Sequence, residues 1–323
     1  MGSASRWARI LGLALPACAL SVVHAEPVFP VSNQAALARS AALPTLGDVA
    51  VPAAGQNDYR LALDWTNEYY AGNTADESMI LDGETQRYTF GWRHGFAGGW
   101  SLDAELPLLS TGGGVLDSTI ESWHHFWGLP NGGRGDAPQN RYLYQYVRNG
   151  QTQLQVDHGA TGFGDAQLGA SYAVAPSLAL RAMLKLPSGS RTKLTGGNPG
   201  GALWVEYDPF AGSARWFGFI AGGASVNGDR GVLNGQQRRV LALGGAGAGF
   251  RLTPAWSLLL QTYAHSPLYK ESSLEPLRRA GLQLAFGGRY QVTRLTAITL
   301  GFEEDPVVAS SPDFSIHADL RWR

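Results

Sequence analysis

The sequence predicts an all-β protein: one transmembrane antiparallel β-barrel of about twelve strands, with a short helix in a single long external loop. Three observations predict it: two-residue alternation, connections that alternate short and long, and a composition rich in glycine and aromatics. The final strand shows the alternation best. Phe314, Ile316, Ala318, Leu320 and Trp322 share one face, and Ser315, His317, Asp319 and Arg321 share the other, because successive strand side chains point to opposite faces. A barrel strand in lipid needs apolar side chains outward and polar ones toward the lumen. The chain has 42 glycines in 323 residues, with 10 Trp, 12 Tyr and 12 Phe. That is about 13% glycine against an average near 7%. Tight bends favour glycine, and membrane interfaces favour aromatics.

Other classes are excluded. The net charge of −1 leaves no basic footprint for nucleic acid. Arg6 and Arg9 precede a mostly apolar run from Ile10 to Val23, and Val23-His24-Ala25 offers small residues for cleavage before Glu26. Residues 1–25 therefore read as a secretory signal peptide, too short for a membrane helix. The one cysteine, Cys18, falls inside it; Pro16 argues against a lipoprotein site there, and residues 26–323 have no thiol or disulfide chemistry.

Residues 26–56 lack alternation and carry Pro27, Pro30, Pro44 and Pro52. They read as an N-terminal extension before the barrel of residues 57–323. Val28, Phe29, Val31, Leu37, Leu43 and Leu46 are too few for a separate core and too many to leave in water. The segment is either a plug at the periplasmic mouth or a disordered tether. Alternation starts with Tyr59, Leu61, Leu63 and Trp65, and returns over 87–96 and 100–108. Further strands follow at about 164–174, 177–187, 201–208, 214–225, 239–251, 255–265, 279–290, 294–302 and 314–322. Tight turns near Ala97, Pro176, Pro209, Pro254 and Val292 alternate with long loops at 71–84, 110–163, 188–200, 226–238, 266–278 and 303–312. An even strand number with both chain ends on the short-turn side is the outer-membrane pattern. Tyr142, Tyr144 and Tyr146, the turn Asn149-Gly150, then Leu154 and Val156 form a further hairpin. Counted in the membrane it gives the alternative of fourteen strands, but its arms are short for a span, and it reads as an extension of the long loop.

Several stretches are distinctive: Leu81-Asp82-Gly83-Glu84, Glu105-Leu106-Pro107, Gly113-Gly114-Val115-Leu116-Asp117, Trp123 to Pro130 with Arg134, Gly162-Phe163-Gly164-Asp165, and Leu184 to Gly189. With Asn33-Gln34 they are spread over a span of more than half of residues 26–323, and on them the chain resembles an uncharacterised Gram-negative family of outer-membrane barrels. That family brings no activity. The final strand also resembles the C-terminal signal read by the barrel-assembly machinery. The resemblance thus implies the cell outer membrane as location, with its lipid and that machinery as partners. The Gly-Phe-Gly-Asp and Lys-Leu-Pro-Ser-Gly pair is similar to barrels proposed to take up aromatic or other apolar compounds, which implies a small apolar solute.

Candidate sites follow from the pattern. In the loop at 110–163, Ser118-Thr119-Ile120-Glu121 is a capping box. Ile120, Trp123, His124 and Trp127 recur at helical spacing before Gly128 and Pro130. This helix is expected either to fold inward as a constriction built from Glu121, Trp123, His124, Trp127 and Arg134 or to form a surface lid. Glu121 with His124 and His125 could offer ligands to a metal, but nothing completes the set, and no metal or cofactor is assigned. Arg60, Asp64, Glu68, Arg87, Arg93, Asp103, Glu105, Arg181, Lys185, Arg289, Asp319 and Arg321 are expected to face the lumen, mostly as mutually neutralising ion pairs. His265-Ser266 sets its two side chains on opposite faces and names no third group, which argues against a hydrolase. The reading is a passive channel for a small solute, not an enzyme; the alternatives are a lipid-modifying barrel enzyme and a closed structural or adhesive barrel.

Overall fold

The computed structural model describes residues 26–128, 133–306 and 310–323. The expected signal peptide and Cys18 lie outside the described residues. The chain forms β1 (Asn57–Asn73), β2 (Glu77–Phe96), β3 (Trp100–Gly112), helix α1 (Asp117–Trp127), β4 (Leu143–Arg148), β5 (Gln151–Val156), β6 (Ala160–Phe163) and β7 (Gln167–Ala175). It continues with β8 (Leu178–Lys185), β9 (Gly200–Tyr207), β10 (Trp216–Asn227), β11 (Val240–Arg251), β12 (Trp256–His265), a short helix α2 (Glu275–Arg278), β13 (Gly281–Gln291), β14 (Thr296–Glu304) and β15 (Phe314–Trp322).

Twelve of these strands close a ring: β1, β2, β3, then β7 through β15 in order, all antiparallel. The seam pairs the first strand with the last, from Tyr59 opposite Trp322 to Asn67 opposite Phe314. Closure leaves no unpaired edge, the condition for strands to cross lipid. No helix among the described residues is long and apolar enough to cross a membrane, which leaves strand crossing untouched. The outer surface carries the apolar half of each alternation, with Leu61, Phe90, Leu106, Leu203, Ile220, Leu258 and Leu300 all exposed. At the short-turn end, aromatics pair across strands: Tyr59 with Trp322, Trp100 with Tyr172, Trp216 with Phe250 and Trp256 with Tyr290.

The hairpin β4–β5 adds no strands to the ring. β4 pairs with the far end of β2, Glu77–Asp82, and extends that wall outward. Its turn residues Asn149 and Gly150 both have positive φ, at 51° and 71°, as a two-residue hairpin turn requires. Two expectations change. The loop expected at 71–84 is mostly strand, since β1 runs to Asn73 and β2 resumes at Glu77. Beyond the membrane zone these strands mix polar and apolar residues on both faces, with Met79 and Leu81 inward and Asp82 and Glu84 outward, so the alternation fades while the pairing continues. The strand expected at 164–174 starts only at Gln167 as β7, and β6 falls in the expected loop before it, because Asp165 between them leaves the sheet to bond Lys185. The capping box also fails to form: Leu116 is the N-cap, with no side-chain cap bond.

Residues 26–50 are the largest non-strand part of the interior. They form an irregular hairpin joined by Val28 N–H to the Gly47 carbonyl at 2.8 Å and by a Val31–Leu46 bridge, with a 3₁₀ turn at Ala38–Ser40 as the tip. Val28, Phe29, Leu37 and Leu46 are buried in one apolar cluster with wall residues Phe217, Phe219, Leu241, Leu259 and Tyr263. Glycines in the wall make the room. A Cβ on Gly301 would come within 2.6 Å of the Phe29 ring, and Gly47, at φ +111°, has its own Cβ position 2.7 Å from the Phe29 carbonyl oxygen.

Candidate functional site: a filled lumen

On most strands the inward set is the polar half of the alternation, with an apolar patch on β10 to β12, and the hairpin is where most of the polar set is satisfied. Arg60 donates to the Pro30 carbonyl at 3.0 Å, Arg289 to that of Val28 at 2.9 Å, and Arg87 to Gln34 Oε1 at 2.9 Å. Gln261 accepts the Phe29 N–H, Glu68 that of Ala36, Asn227 that of Ala42 and Glu206 that of Gly47. Tyr263 and Tyr269 donate their hydroxyls to the carbonyls of Pro44 and Leu37. These anchors come from β1, β9, β10, β12 and β13 and from the loop after β12, as well as from β2, so the hairpin is held all round.

Its strongest anchor is one carboxylate. Asp48 pairs with Arg93, and with Arg321 at 2.6 Å, while Arg181 donates to its backbone carbonyl. Burial alone would raise the Asp48 carboxyl, but the guanidinium groups of Arg321, Arg93 and Arg181 outweigh it and hold the carboxyl well below the usual carboxylate range. Glu26 adds pairs with Arg251 at 3.1 Å and Arg289 at 3.7 Å. The remaining pairs lie within the wall: Arg60 with Glu105 at 2.9 Å and, more loosely, Asp319 at 3.9 Å, Arg181 with Glu206 at 3.1 Å, and Lys185 with Asp165. Asp103 lines a space of about 70 Å³ beside the Asp48 cluster, with room for a few waters but not for a solute. Wider spaces lie at the two ends: about 530 Å³ at the short-turn mouth by Glu26, Arg251 and Arg294, and about 460 Å³ on the long-loop side by Gln153, Arg191 and Gln236.

The expected lumen residues thus all lie on the inward face, but the expected constriction does not assemble there. Helix α1 lies against the outside of the wall. The outward-facing side chains there are Asn67 and Tyr69 of β1, Asp82 and Glu84 of β2 and Phe302 of β14, and α1 with its flanking loop covers them. Trp123 packs edge-on against Phe302 with ring centroids 5.7 Å apart. Glu84 accepts the backbone N–H groups of Val115 and Leu116 and the Trp65 indole. Buried Arg134 pairs with Asp117 at 2.7 Å and Asp313 at 2.6 Å, with its guanidinium 5.2 Å from the centre of the Tyr69 ring. Glu121 accepts a hydrogen bond from Gln139 at the exposed rim, His124 is buried, His125 is exposed, and the side chain of Trp127 lies outside the described residues. The physical reason is parity: strands overshooting the membrane present polar residues on their outer face, and the loop supplies their partners. The inward cap is instead built from Tyr144 and Tyr146, bonded to Glu68 and Glu77.

His265 turns inward to Asn33 Nδ2 at 2.7 Å, while the Ser266 hydroxyl accepts the Ala242 N–H. The two do not form a catalytic pair. Asp48, Glu26 and Glu206 were missed by sequence reasoning. The signal existed: the eleven lumen positions other than Glu68 hold seven cations against four carboxylates, an excess that calls for acid from elsewhere.

Among solved structures, the chain is similar to the COG4313 outer membrane channel from Pseudomonas putida F1. The identity is 13%, the TM-score 0.54, and the match covers 86% of this chain and 97% of that one. Weaker likenesses include the CymD monoaromatic hydrocarbon channel (12% identity, TM-score 0.43, 92% and 94% covered) and the toluene transporter TbuX of Ralstonia pickettii (10%, 0.42, 92% and 94%). At these identities the first likeness speaks for the fold, and the weaker two carry no argument. No protein with a curated description matches the sequence. Residues 11–323 match the family described as "Protein of unknown function (DUF3187)", and the chain belongs to that family.

Proposed function

We propose that the protein is an outer-membrane channel for a small solute, held shut at rest by residues 26–50 acting as an internal plug. One observation carries this reading: the inward polar residues bind the hairpin's backbone and Asp48 instead of being spent wholly on one another. A purely structural barrel could fill its interior with side chains of its own wall, as small barrels do. A segment held by hydrogen bonds and ion pairs beside its apolar contacts can exchange the polar share of its anchoring for water. The exposed apolar band and the closed ring support residence in lipid. With the hairpin gone the inward face would be polar around β1, β2 and β15 and apolar at Phe217, Phe219, Leu241 and Leu259, so the solute class this lumen suits is small and amphipathic.

Liposome swelling and planar-bilayer conductance test the reading on the intact chain and on a chain lacking residues 27–50. Low conductance in the first and a several-fold rise in the second are expected. If the deletion chain folds, as judged by heat-modifiable mobility, yet conducts no more than the intact protein, the channel reading fails and the closed structural barrel replaces it.

A further inference from the structure

Inside the barrel, three neighbouring strands bring an unusual trio together. Asp64 of β1 sits directly opposite His317 of β15 across the seam, and Glu303 of β14 lies diagonally beside His317, opposite Ser315. All three are buried, and one ligating atom from each lies within 4.8 Å of the others. Asp64 Oδ1 and His317 Nδ1 are 2.7 Å apart. Gln283 donates to Glu303 Oε2, yet Glu303 Oε1 and His317 Nε2 find no hydrogen-bond partner, although His317 is only 1% exposed and Glu303 2%. Unpartnered polar atoms at such depth are costly unless something else meets them. The Phe29 ring stands edge-on to the imidazole, with centroids 6.0 Å apart, and shields the trio from the lumen.

We propose that Asp64, Glu303 and His317 form a binding site for a divalent transition-metal ion, of which Zn(II) is the natural probe. Two carboxylates and one imidazole are a mixed oxygen–nitrogen set suited to Zn(II) and its neighbours rather than to calcium or magnesium. The charges close: two carboxylates and a neutral imidazole balance a dication, whereas the two buried carboxylates would otherwise repel each other. A proton shared between Asp64 and His317 holds that pair at its short separation, and ion binding releases one proton to solvent as the imidazole becomes a neutral ligand. Three protein donors leave a coordination position for water. Since Asp64 belongs to the first strand and His317 and Glu303 to the last two, the ion would clamp the seam of the ring.

The test uses the full chain, purified in detergent and stripped with chelator, then dialysed against Zn(II) or Co(II). The expected result is about one ion per chain, a Co(II) absorption band that displays imidazole ligation, and a drop in affinity of roughly tenfold or more in both Glu303→Gln and His317→Ala. Glu303→Gln is nearly isosteric, so it keeps the test meaningful if His317→Ala fails to fold. The exposed His158 supplies a control, since His158→Ala should bind as the native chain does. Absence of bound ion in the folded native chain, or equal binding in Glu303→Gln, would overturn the proposal.

Discussion

Residues 26–50 and residues 113–141 belong to the two longest stretches outside any strand, and they dock on opposite sides of the same wall. The first is rich in alanine and proline, nearly uncharged, and fills the lumen. The second holds α1 and the charged residues Asp117, Glu121, Arg134, Asp136 and Arg141, and it covers the outside of β1 and β2. The difference teaches that a segment's own polarity does not decide where it docks. The wall decides. Inward faces offer arginines that need carbonyls and one carboxylate, while outward faces above the membrane offer Asp82 and Glu84, which need a guanidinium and N–H groups, and Asn67, whose amide nitrogen donates to Asp117.

Removing the charge that holds each segment would separate the two cases. Asp48→Ala leaves Arg93, Arg181 and Arg321 facing one another in a confined space, and breaking a buried ion pair costs about 3–5 kcal/mol. We expect a lowered unfolding midpoint, rapid trypsin cleavage at Arg39, the only Lys or Arg in residues 26–56, and raised conductance. Unchanged protection of Arg39 would show that Asp48 is not the anchor.

Arg134→Ala makes the parallel cut outside. It strands Asp117 and Asp313 together, but Asp313 can take up a proton, so the cost should be smaller, about 2 kcal/mol, and confined to the loop. Hydrogen exchange should rise across α1 while conductance stays at the native level. A conductance change here would put α1 back in the permeation path.

The smallest effect is one of pH. Burial raises the Asp313 carboxyl to about 6, with Arg134 opposing the rise. Its folded-state value therefore lies above its unfolded one, and the folded form holds the proton more tightly. The contribution of this group to stability falls as pH rises from about 4 to 6 and is flat above. Going from pH 7 to pH 5, the loop should gain about 1 kcal/mol, read from Trp123 fluorescence or local hydrogen exchange, and Asp313→Asn should lack that gain.

The ring was legible in the sequence because lipid imposes a rule on every strand. Phe314 to Trp322 and Trp100 to Leu108 carry it plainly, whereas glycine-rich β10 blurs it, with Phe217 and Phe219 facing inward and Trp216 and Ile220 outward. The site was half legible. The parity of Arg60, Arg87, Arg181 and Arg289 gave their direction, but no period announces partners 45 to 273 residues apart, so Asp48 went unseen. Trp123 and His124 misled because helical spacing reports a helix and an apolar side, not which surface that side meets. Asn67, Asp82 and Glu84, polar where the rule wants apolar residues, were the overlooked clue that something docks outside.

The seam between β1 and β15 has one more consequence, for the order of manufacture. The hairpin touches both sides of it: Arg60 of the first strand holds Pro30, and Arg321 of the last holds Asp48. A hoop fastened by its own two ends cannot admit an inner lining sideways once it is fastened. Residues 26–50 leave the ribosome before any strand does, whereas β15 comes last. The lining therefore waits for the hoop and serves as the former around which the clasp closes. A chain without it should close its ring more slowly, or with the last strand out of register, even though every wall residue is still present; kinetics of the heat-modifiable form would show which.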